Sequence, residues 1–268
     1  MKIVLLHIFL LCLVQATTAQ DSSFVLVRTY EGDIATAAMD HFDNLYIVSG
    51  KGQVKKFTAS GDSGGVYNQV RNFGKLSTID VSNPLKILLF YRDFSSIVVL
   101  DRFLTPITTI DLRKYSILQP GAIGLSYDNN IWVYDEYDNK LKKINEQGNL
   151  LMETSDFRSV FNQTVSPQKI MDDNGLVYLA DTTNGVFVFD SYGTFQKKIP
   201  VMNWKSIAVN KTNIVSTSAD WITVFNTATL METRRKQPFF DPYHQAFTLA
   251  NKLVIFSGSK LQVWQYRF

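Results

Sequence analysis

Four aspartates stand where apolar, strand-like segments end: Asp101, Asp135, Asp181 and Asp190. Carboxylates gathered around a common axis could hold a hard cation through oxygen, as calcium sites do. A short carboxylate at a strand end can instead accept backbone N–H groups that the sheet leaves unpaired. Because the same residue type recurs at the same place in several segments, we predict that these aspartates stabilise turns. Such recurrence is what a repeated structural unit would produce.

Other arrangements that carry out chemistry are weak in this chain. Its three histidines, His7, His41 and His244, lie far apart in the sequence. It has no His-x-x-x-His pair, no serine nucleophile motif and no glycine-rich phosphate loop. The acidic segment 134–139 lacks the spaced ligands and the glycine of a calcium loop. We therefore predict a non-enzymatic protein with no cofactor and no metal.

A repeat runs through most of the chain. Residues 174–195 read as turn, apolar strand, polar turn, apolar strand and glycine turn, and five other segments follow the same order. The equivalent positions, 37 to 46 residues apart, are Leu45, Ile87, Ile131, Val177, Ile214 and Leu253. Repeats of about 40–50 residues with four strands each are typical of β-propellers. We predict an all-β fold, a six-bladed β-propeller with four-stranded blades.

The two ends of the repeat array complement each other. The last repeat stops at Phe268 after its third strand, whereas residues 24–30 form a strand-like segment ahead of the first repeat. An open blade would leave a sheet edge unpaired. We predict that residues 24–30 supply the outer strand of the last blade and so close the ring.

The first residues indicate export. Residues 1–19 combine a lysine, an apolar run and small residues up to Ala19, which predicts a secretory signal peptide. The remaining 20–268 would form one domain. Cys12 is the only cysteine, and Leu11 before it is too large for a lipid-attachment site. The formal net charge of +3 does not favour nucleic acid. We expect a soluble, non-lipidated, monomeric protein of the periplasm that does not insert into the membrane.

Two segments carry a family resemblance. The segment "GLVYLADTTNGVFVFDSYGTF" at 175–195 resembles the repeat of six-bladed propellers of the NHL type. Residues 69–104, with "SYDNNIWVYDE" and "KLKKI", resemble a family of exported propellers widespread in Bacteroidota. That family includes the periplasmic plug subunit of the type IX secretion translocon. The resemblance implies a protein-binding role at the periplasmic mouth of an outer-membrane channel, and it supplies no catalytic residues.

The order of strands in a propeller divides the loops between two faces. Turns from the inner to the second strand, and from the third to the outer strand, lie on one face, here called the turn face. These turns read as short and polar, with little to grip. Loops from the second to the third strand, and the connections between blades, lie on the opposite loop face, which is richer in Tyr, Phe, Trp and Arg.

Aromatic residues and arginine on rigidly held loops are typical of interface hot spots. We predict that the loop face binds a protein partner in the cell envelope, such as an outer-membrane secretion channel. The candidate contact residues are Tyr91, Arg92, Asp93, Phe94, Tyr134, Asp135, Tyr137 and Trp221. Phe73, Trp132 and Trp264 are expected to pack between blades instead.

An alternative remains open at this point. Six-bladed propellers include lactonase-like hydrolases and sugar-binding proteins whose site lies in the central channel. Such a site would need carboxylates that converge on the axis. Asp80 is the only carboxylate inside the four inner segments 34–39, 76–81, 123–127 and 206–209; Asp40, Asp128 and Asp172 close strands at the turn.

Overall fold

The computed structural model describes residues 24–68, 73–218, 220–236 and 245–266. The predicted signal peptide 1–19, His244 and most of the connection 237–245 lie outside the described residues. Within the described ranges, no helix is long and apolar enough to cross a membrane.

The strands form six four-stranded antiparallel sheets, each a blade. Blade 1 comprises β2 Thr36–Met39, β3 Leu45–Val48, β4 Val54–Phe57 and β5 Ser63–Tyr67. Blade 2 comprises β6 Thr78–Asn83, β7 Lys86–Tyr91, β8 Ser96–Asp101 and β9 Pro106–Asp111. Blade 3 comprises β10 Pro120–Leu125, β11 Ile131–Asp135, β12 Lys140–Ile144 and β13 Leu150–Glu153.

Blade 4 comprises β14 Lys169–Asp173, β15 Leu176–Asp181, β16 Gly185–Asp190 and β17 Phe195–Ile199. Blade 5 comprises β18 Ser206–Asn210, β19 Asn213–Thr217, β20 Trp221–Asn226 and β21 Glu232–Lys236. Blade 6 comprises β22 Gln245–Leu249, β23 Lys252–Phe256, β24 Lys260–Tyr266 and β1 Phe24–Glu31. Among the described residues, the helical segments on the loop face are the 3-10 turns Arg92–Phe94 and Leu112–Tyr115 and the helix α1 Phe157–Phe161.

The core lies between the blades, because each blade packs against a neighbour on both of its faces. Strand β7 shows the principle: all six of its residues are buried. Its alternate residues Ile87 and Leu89 pack towards blade 1, whereas Leu88 and Phe90 pack towards blade 3. Side chains on a strand alternate between the two faces of the sheet, so a strand buried on both faces is apolar throughout. The run "KILLFY" is therefore typical of a strand that is buried between two neighbouring blades.

The predicted closure of the ring is confirmed. Strand β1 pairs antiparallel with β24, from Phe24 opposite Tyr266 to Glu31 opposite Lys260. A register shift between Leu26 and Arg28 marks a β-bulge in the pairing. The first described strand is thus the outer strand of blade 6. The ring is closed by the backbone hydrogen bonds between β1 and β24.

The predicted turn role of the strand-end aspartates is also confirmed. Asp101 Oδ1 accepts the N–H groups of Phe103 and Thr105, both at 2.8 Å. Asp190 Oδ1 accepts the corresponding pair in blade 4, at 2.9 Å each. These backbone donors hold the pKa of Asp190 below its usual value, with Thr194 contributing most. Asn145 and Asn226 accept backbone N–H groups at the same place in blades 3 and 5.

Candidate functional site

The loop face of blade 2 presents a short rigid segment. Residues Arg92–Phe94 form a 3-10 turn between β7 and β8 that ends at Ser95, whose φ is 47°. Phe94 is 44% exposed, and its ring lies so close to Gly74 that a Cβ there would come within 2.9 Å of it. Gly74 also has a φ of +69°, so glycine serves both the conformation and the close approach of the ring. Arg92 and Asp93 are exposed beside Phe94.

Arg92 reaches across to blade 3. Its guanidinium donates a hydrogen bond to the carbonyl oxygen of Gly121. A Cβ on Gly121 would collide with the side chain of Glu136, which shows that Glu136 lies against the same piece of backbone. Glu136 in turn accepts hydrogen bonds from Gln119 and Ser166, at 3.1 Å each. Hydrogen bonds therefore link Arg92 of blade 2 to the start of β10 in blade 3, and Glu136 of blade 3 to the connections that lead into blades 3 and 4.

Tyr137 projects from this linked region. Its side chain is 63% exposed, while its N–H donates to the carboxylate of Asp135 below it. Trp221, 41% exposed, begins β20 in blade 5 and lies apart from this region. Of the predicted contact residues, Arg92, Asp93, Phe94 and Tyr137 are exposed on the loops of the adjacent blades 2 and 3. We call these four the loop-face set.

The prediction that Tyr91 and Tyr134 offer surface for a partner is wrong. Both side chains are fully buried, in the clusters between blades 1 and 2 and between blades 3 and 4. Tyr91 packs against Phe73, with ring centroids 5.2 Å apart, and the Tyr134 hydroxyl donates to Val165 O at 2.8 Å. Burial raises the pKa of both phenols. Both residues still belong to fully buried strands, and the exposed loop begins after them.

The prediction that Asp135 contacts a partner is also wrong. Its side chain is fully buried, and Oδ2 forms a salt bridge of 2.8 Å with Lys142, whose side chain is only 5% exposed. Oδ1 accepts the N–H groups of Gln119 and Tyr137, at 3.2 Å each. Burial alone would lower the pKa of Lys142, but Asp135 and Asp138 outweigh it and raise that pKa. Asp135 thus supports the loop from beneath and does not meet a partner.

Sequence reasoning missed Glu136 as the link between blades. The residue stands between two predicted contact residues, and its side chain is half-buried among connections from two neighbouring blades. The sequence signal was an acidic residue in the loop that follows a buried strand. The expected packing role of Phe73, Trp132 and Trp264 is confirmed, since each lies in or against an interblade cluster.

The turn face is not the plain surface that the sequence predicted. Several of these polar turns carry one or two large apolar residues that are exposed. Among the most exposed large apolar side chains of the described residues, those in turn-face turns are Phe42, Leu85, Phe103, Tyr127, Tyr192, Leu230 and Met231. A tip residue lies beyond the ends of the strands and cannot pack between two blades. Asp, Asn and Gly identified the turns correctly, but the sequence analysis overlooked the apolar residues within them.

The inner strands use their carboxylates to join blades. Asp80 accepts the N–H of Ser82 at 2.8 Å and that of Leu125, in blade 3, at 2.7 Å. Asp172 Oδ2 accepts from Trp132 Nε1 in blade 3 at 3.0 Å. Lys169 Nζ donates to Ile207 O in blade 5 at 2.8 Å, and burial lowers its pKa while Asp80 opposes that effect. In the part of the chain that the structure describes, no three His, Cys, Asp or Glu residues are grouped to hold a metal.

Comparisons with known proteins place the chain by shape alone. No family model and no curated protein matches it. The WD40 domain of Pan2 from Neurospora crassa superposes with a TM-score of 0.64 at 11% identity, covering 91% of this chain and 96% of that one. A streptogramin B lyase superposes with a TM-score of 0.59 at 16% identity, covering 86% and 78%. The chain has the β-propeller fold.

A third solved structure also shares the β-propeller fold. A catalytically inactive virginiamycin B lyase from Staphylococcus aureus, with quinupristin, has a TM-score of 0.60 at 10% identity and covers 91% of this chain and 100% of its own. Matching folds thus include lyases as well as a WD40 domain. At such low identity the likeness carries no residue roles, so the function has to be argued from the site.

One ion pair on the turn face gives a pH-dependent prediction. Burial alone would raise the pKa of Asp128, but hydrogen bonds led by that from Lys143, at 2.6 Å, lower it to about 2. A depressed carboxyl pKa contributes stability above the unfolded value of 3.8, and that stability is lost as the pH falls towards 2. The Asp128 side chain is 31% exposed, so we expect a contribution below about 1 kcal/mol at neutral pH.

The measurement is the melting temperature of the protein and of the Asp128→Asn variant between pH 7 and pH 2. The difference between the two should be largest at neutral pH and should vanish near pH 2. In a Lys143→Met background the Asp128→Asn change should have a smaller effect at neutral pH. A difference that grows as the pH falls would contradict the assigned sign.

Proposed function

We propose that this chain is a non-enzymatic, exported propeller whose loop face binds a protein partner in the cell envelope. The resemblance to exported propellers of Bacteroidota supports a partner at the periplasmic end of an outer-membrane channel, in type IX secretion. Residues 1–19 support export, with removal of the signal peptide in the periplasm.

The observation that carries the proposal is the loop-face set. Phe94 and Tyr137 expose large rings, and Arg92 adds a directional charge beside them. Their backbones are fixed by the 3-10 turn of blade 2 and by the buried carboxylate of Asp135. Rings and an arginine held on a rigid base lose little conformational freedom on binding, which favours a hot spot.

The inner strands give less support to an enzyme. A lactonase-like hydrolase or sugar-binding propeller would use polar groups that converge on the axis. Here the oxygens of Asp80 already accept N–H groups of Ser82 and Leu125, and Asp172 is directed towards Trp132 in blade 3. These carboxylates act as ties between blades. The matching lyases share the fold with this chain, and their activity is not transferred at such identity.

The test uses two double variants of the same blade. Arg92→Ala/Phe94→Ala removes the loop-face pair, whereas Arg102→Ala/Phe103→Ala removes an exposed Arg–Phe pair on the turn face. The first should weaken binding of the envelope partner by about 2 kcal/mol or more, because it removes two hot-spot side chains. The second should leave binding close to that of the unchanged protein. The measurement is partner recovery after purification in mild detergent, followed by titration of the identified partner.

Stability has to be followed in parallel. Arg92 loses its bond to Gly121 O, for which we expect about 0.5–1.5 kcal/mol. A melt by circular dichroism separates that loss from a loss of binding. If the turn-face variant loses the partner while the Arg92/Phe94 variant binds normally, the loop face is not the contact surface.

A further inference from the structure

We propose that the mouth of the central channel, at the loop-face end of the inner strands, binds a carboxylate group through the ammonium of Lys169. The carboxylate belongs either to a small free acid or to the end of a peptide chain, since both present the same charge and the same acceptor oxygens. This site lies among the inner strands and is separate from the loop-face set on the loops of blades 2 and 3.

The inner strands carry a ring of polar residues at this end. In each blade, the residue considered pairs with the position three residues after Leu45, Ile87 or their equivalents in the second strand. We call these six residues the mouth ring: Thr36, Thr78, Ala122, Lys169, Ser206 and Gln245. Five of them are polar and at least partly exposed, and one is charged. The residue that follows each of them is alanine or isoleucine. The mouth ring therefore places a single positive charge among neutral polar groups.

The ammonium of Lys169 is only partly bonded. Its Nζ donates to Ile207 O, in the inner strand of blade 5, at 2.8 Å. An ammonium has three donors, so two of them lack a protein acceptor among the described residues. The side chain is partly exposed, yet the surrounding protein removes enough water from the ammonium to lower its pKa. A concave channel wall gives both properties, and it lets a small solute reach the free donors.

Lys169 also lacks a carboxylate partner. None of the described carboxylates lies within ion-pairing distance of its Nζ, although Asp80 attracts it from further away. The oxygens of Asp80 already accept the N–H groups of Ser82 and Leu125. The buried Lys142, by contrast, pairs directly with Asp135. Because a desolvated cation without a counter-charge is costly, an external anion at Lys169 is stabilised strongly.

A single cation favours a monoanion as the ligand. A carboxylate carries one charge, and its two oxygens can accept both free donors of Lys169 together with a neighbouring hydroxyl. Ser206, the residue before Ile207, offers such a hydroxyl, which forms no hydrogen bond within the described part of the chain. Phosphate is usually held by arginine or by a nest of backbone N–H groups. The mouth ring has no arginine, and it has no Asp or Glu that would repel a carboxylate.

Calorimetric titration tests the proposal on protein purified from cells that express the full chain. Acetate and its neutral analogue acetamide represent a free acid, whereas N-acetyl-trialanine and its C-terminal amide represent a peptide end. At least one carboxylate should bind, and its amide should not. Lys169→Met should raise the dissociation constant by at least about tenfold, because it removes charge-assisted hydrogen bonds. The stronger of the two carboxylates identifies the source.

Lys197→Met is the matched control. Lys197 also donates from blade 4 to a carbonyl oxygen of blade 5, that of Thr227 at 3.0 Å, but it lies on the outer strand β17. Its replacement removes a comparable tie between the same two blades and should leave the dissociation constant unchanged. An equal loss of affinity in Lys169→Met and Lys197→Met would show a structural role for both lysines and would overturn the proposal.

Reductive methylation tests the site without any substitution. A carboxylate at ten times its dissociation constant should slow methylation of Lys169 by about tenfold, because only the free protein reacts. Methylation of Lys197 should not change. Mass spectrometry of the proteolysed protein measures both rates. Absence of binding by acetate and by N-acetyl-trialanine, unchanged affinity in Lys169→Met, or unprotected Lys169 would each overturn the proposal.

Discussion

Deletion of residues 21–32 is expected to abolish folding of the ring. It removes β1, which pairs with β24 along its whole length, and it removes Phe24, which is buried against Tyr266. The cluster between blades 5 and 6, which includes Ile222, Leu253 and Ile255, would lose the ring of Phe24. Most of β1 is exposed, so the loss comes from the strand pairing and from Phe24, and we expect it to be comparable with the whole stability of a domain, about 5–15 kcal/mol. The measurement is the yield of soluble protein and its thermal unfolding.

A circular permutant supplies the matched control. Residues 24–32 joined after Phe268 through a short flexible linker would restore the strand to the same edge of β24. This permutant should fold and melt cooperatively, because the sheet order of blade 6 is unchanged. A deletion variant that melts cooperatively near the unchanged protein would show that the ring does not depend on this seam.

Replacement of Asp135 with alanine is expected to lower the free energy of unfolding by about 3–5 kcal/mol. The change leaves the buried Lys142 ammonium with Asp138 alone, and it leaves the N–H groups of Gln119 and Tyr137 without their acceptor. The nearby Glu153→Ala breaks a more exposed pair with Lys140 and should cost below about 1 kcal/mol. Urea denaturation at neutral pH measures both.

A double variant tests whether the unpaired Lys142 ammonium causes the loss of stability in Asp135→Ala. Asp135→Ala combined with Lys142→Met removes both charges, so the double variant should recover part of the stability lost in Asp135→Ala. If the double variant is no more stable than the single one, the buried ammonium is not the cause of the loss. A loss below about 1 kcal/mol for Asp135→Ala alone, which is usual for surface substitutions, would show that the buried Asp135–Lys142 pair contributes little to stability.

The architecture could be predicted because it depends on repetition. Spacing between Leu45, Ile87 and their equivalents reports a four-stranded unit whatever the details of each turn. The closing strand was predictable for the same reason, since one unit lacked a strand that the chain supplies elsewhere. Such inferences rest on counting strands, which requires no knowledge of where a side chain points.

The site was less predictable because it depends on single residues at strand ends. Tyr91 and Asp135 end strands that are buried on both faces, so exposure begins only at Arg92 and Glu136. The sequence shows no break at that point, because an aromatic or acidic residue suits a strand end and a loop equally. The prediction for the turn face was wrong in the opposite sense, because it overlooked apolar residues that are exposed. Leu85 and Tyr127 stand among turn-forming residues, and only the structure shows that they project.

The pairing of β1 with β24 also has a consequence for how the chain matures. Among the described strands, β1 and β24 lie furthest apart in the sequence, so the seam is the pairing of longest sequence separation among them. Contacts of long sequence separation slow folding, because the loop they close must be ordered first. During that interval β1 presents the apolar run Val25–Val27 on an unpaired edge, where strand exchange with another nascent copy can begin. We therefore expect the pairing of β1 with β24 to limit the folding rate of this ring.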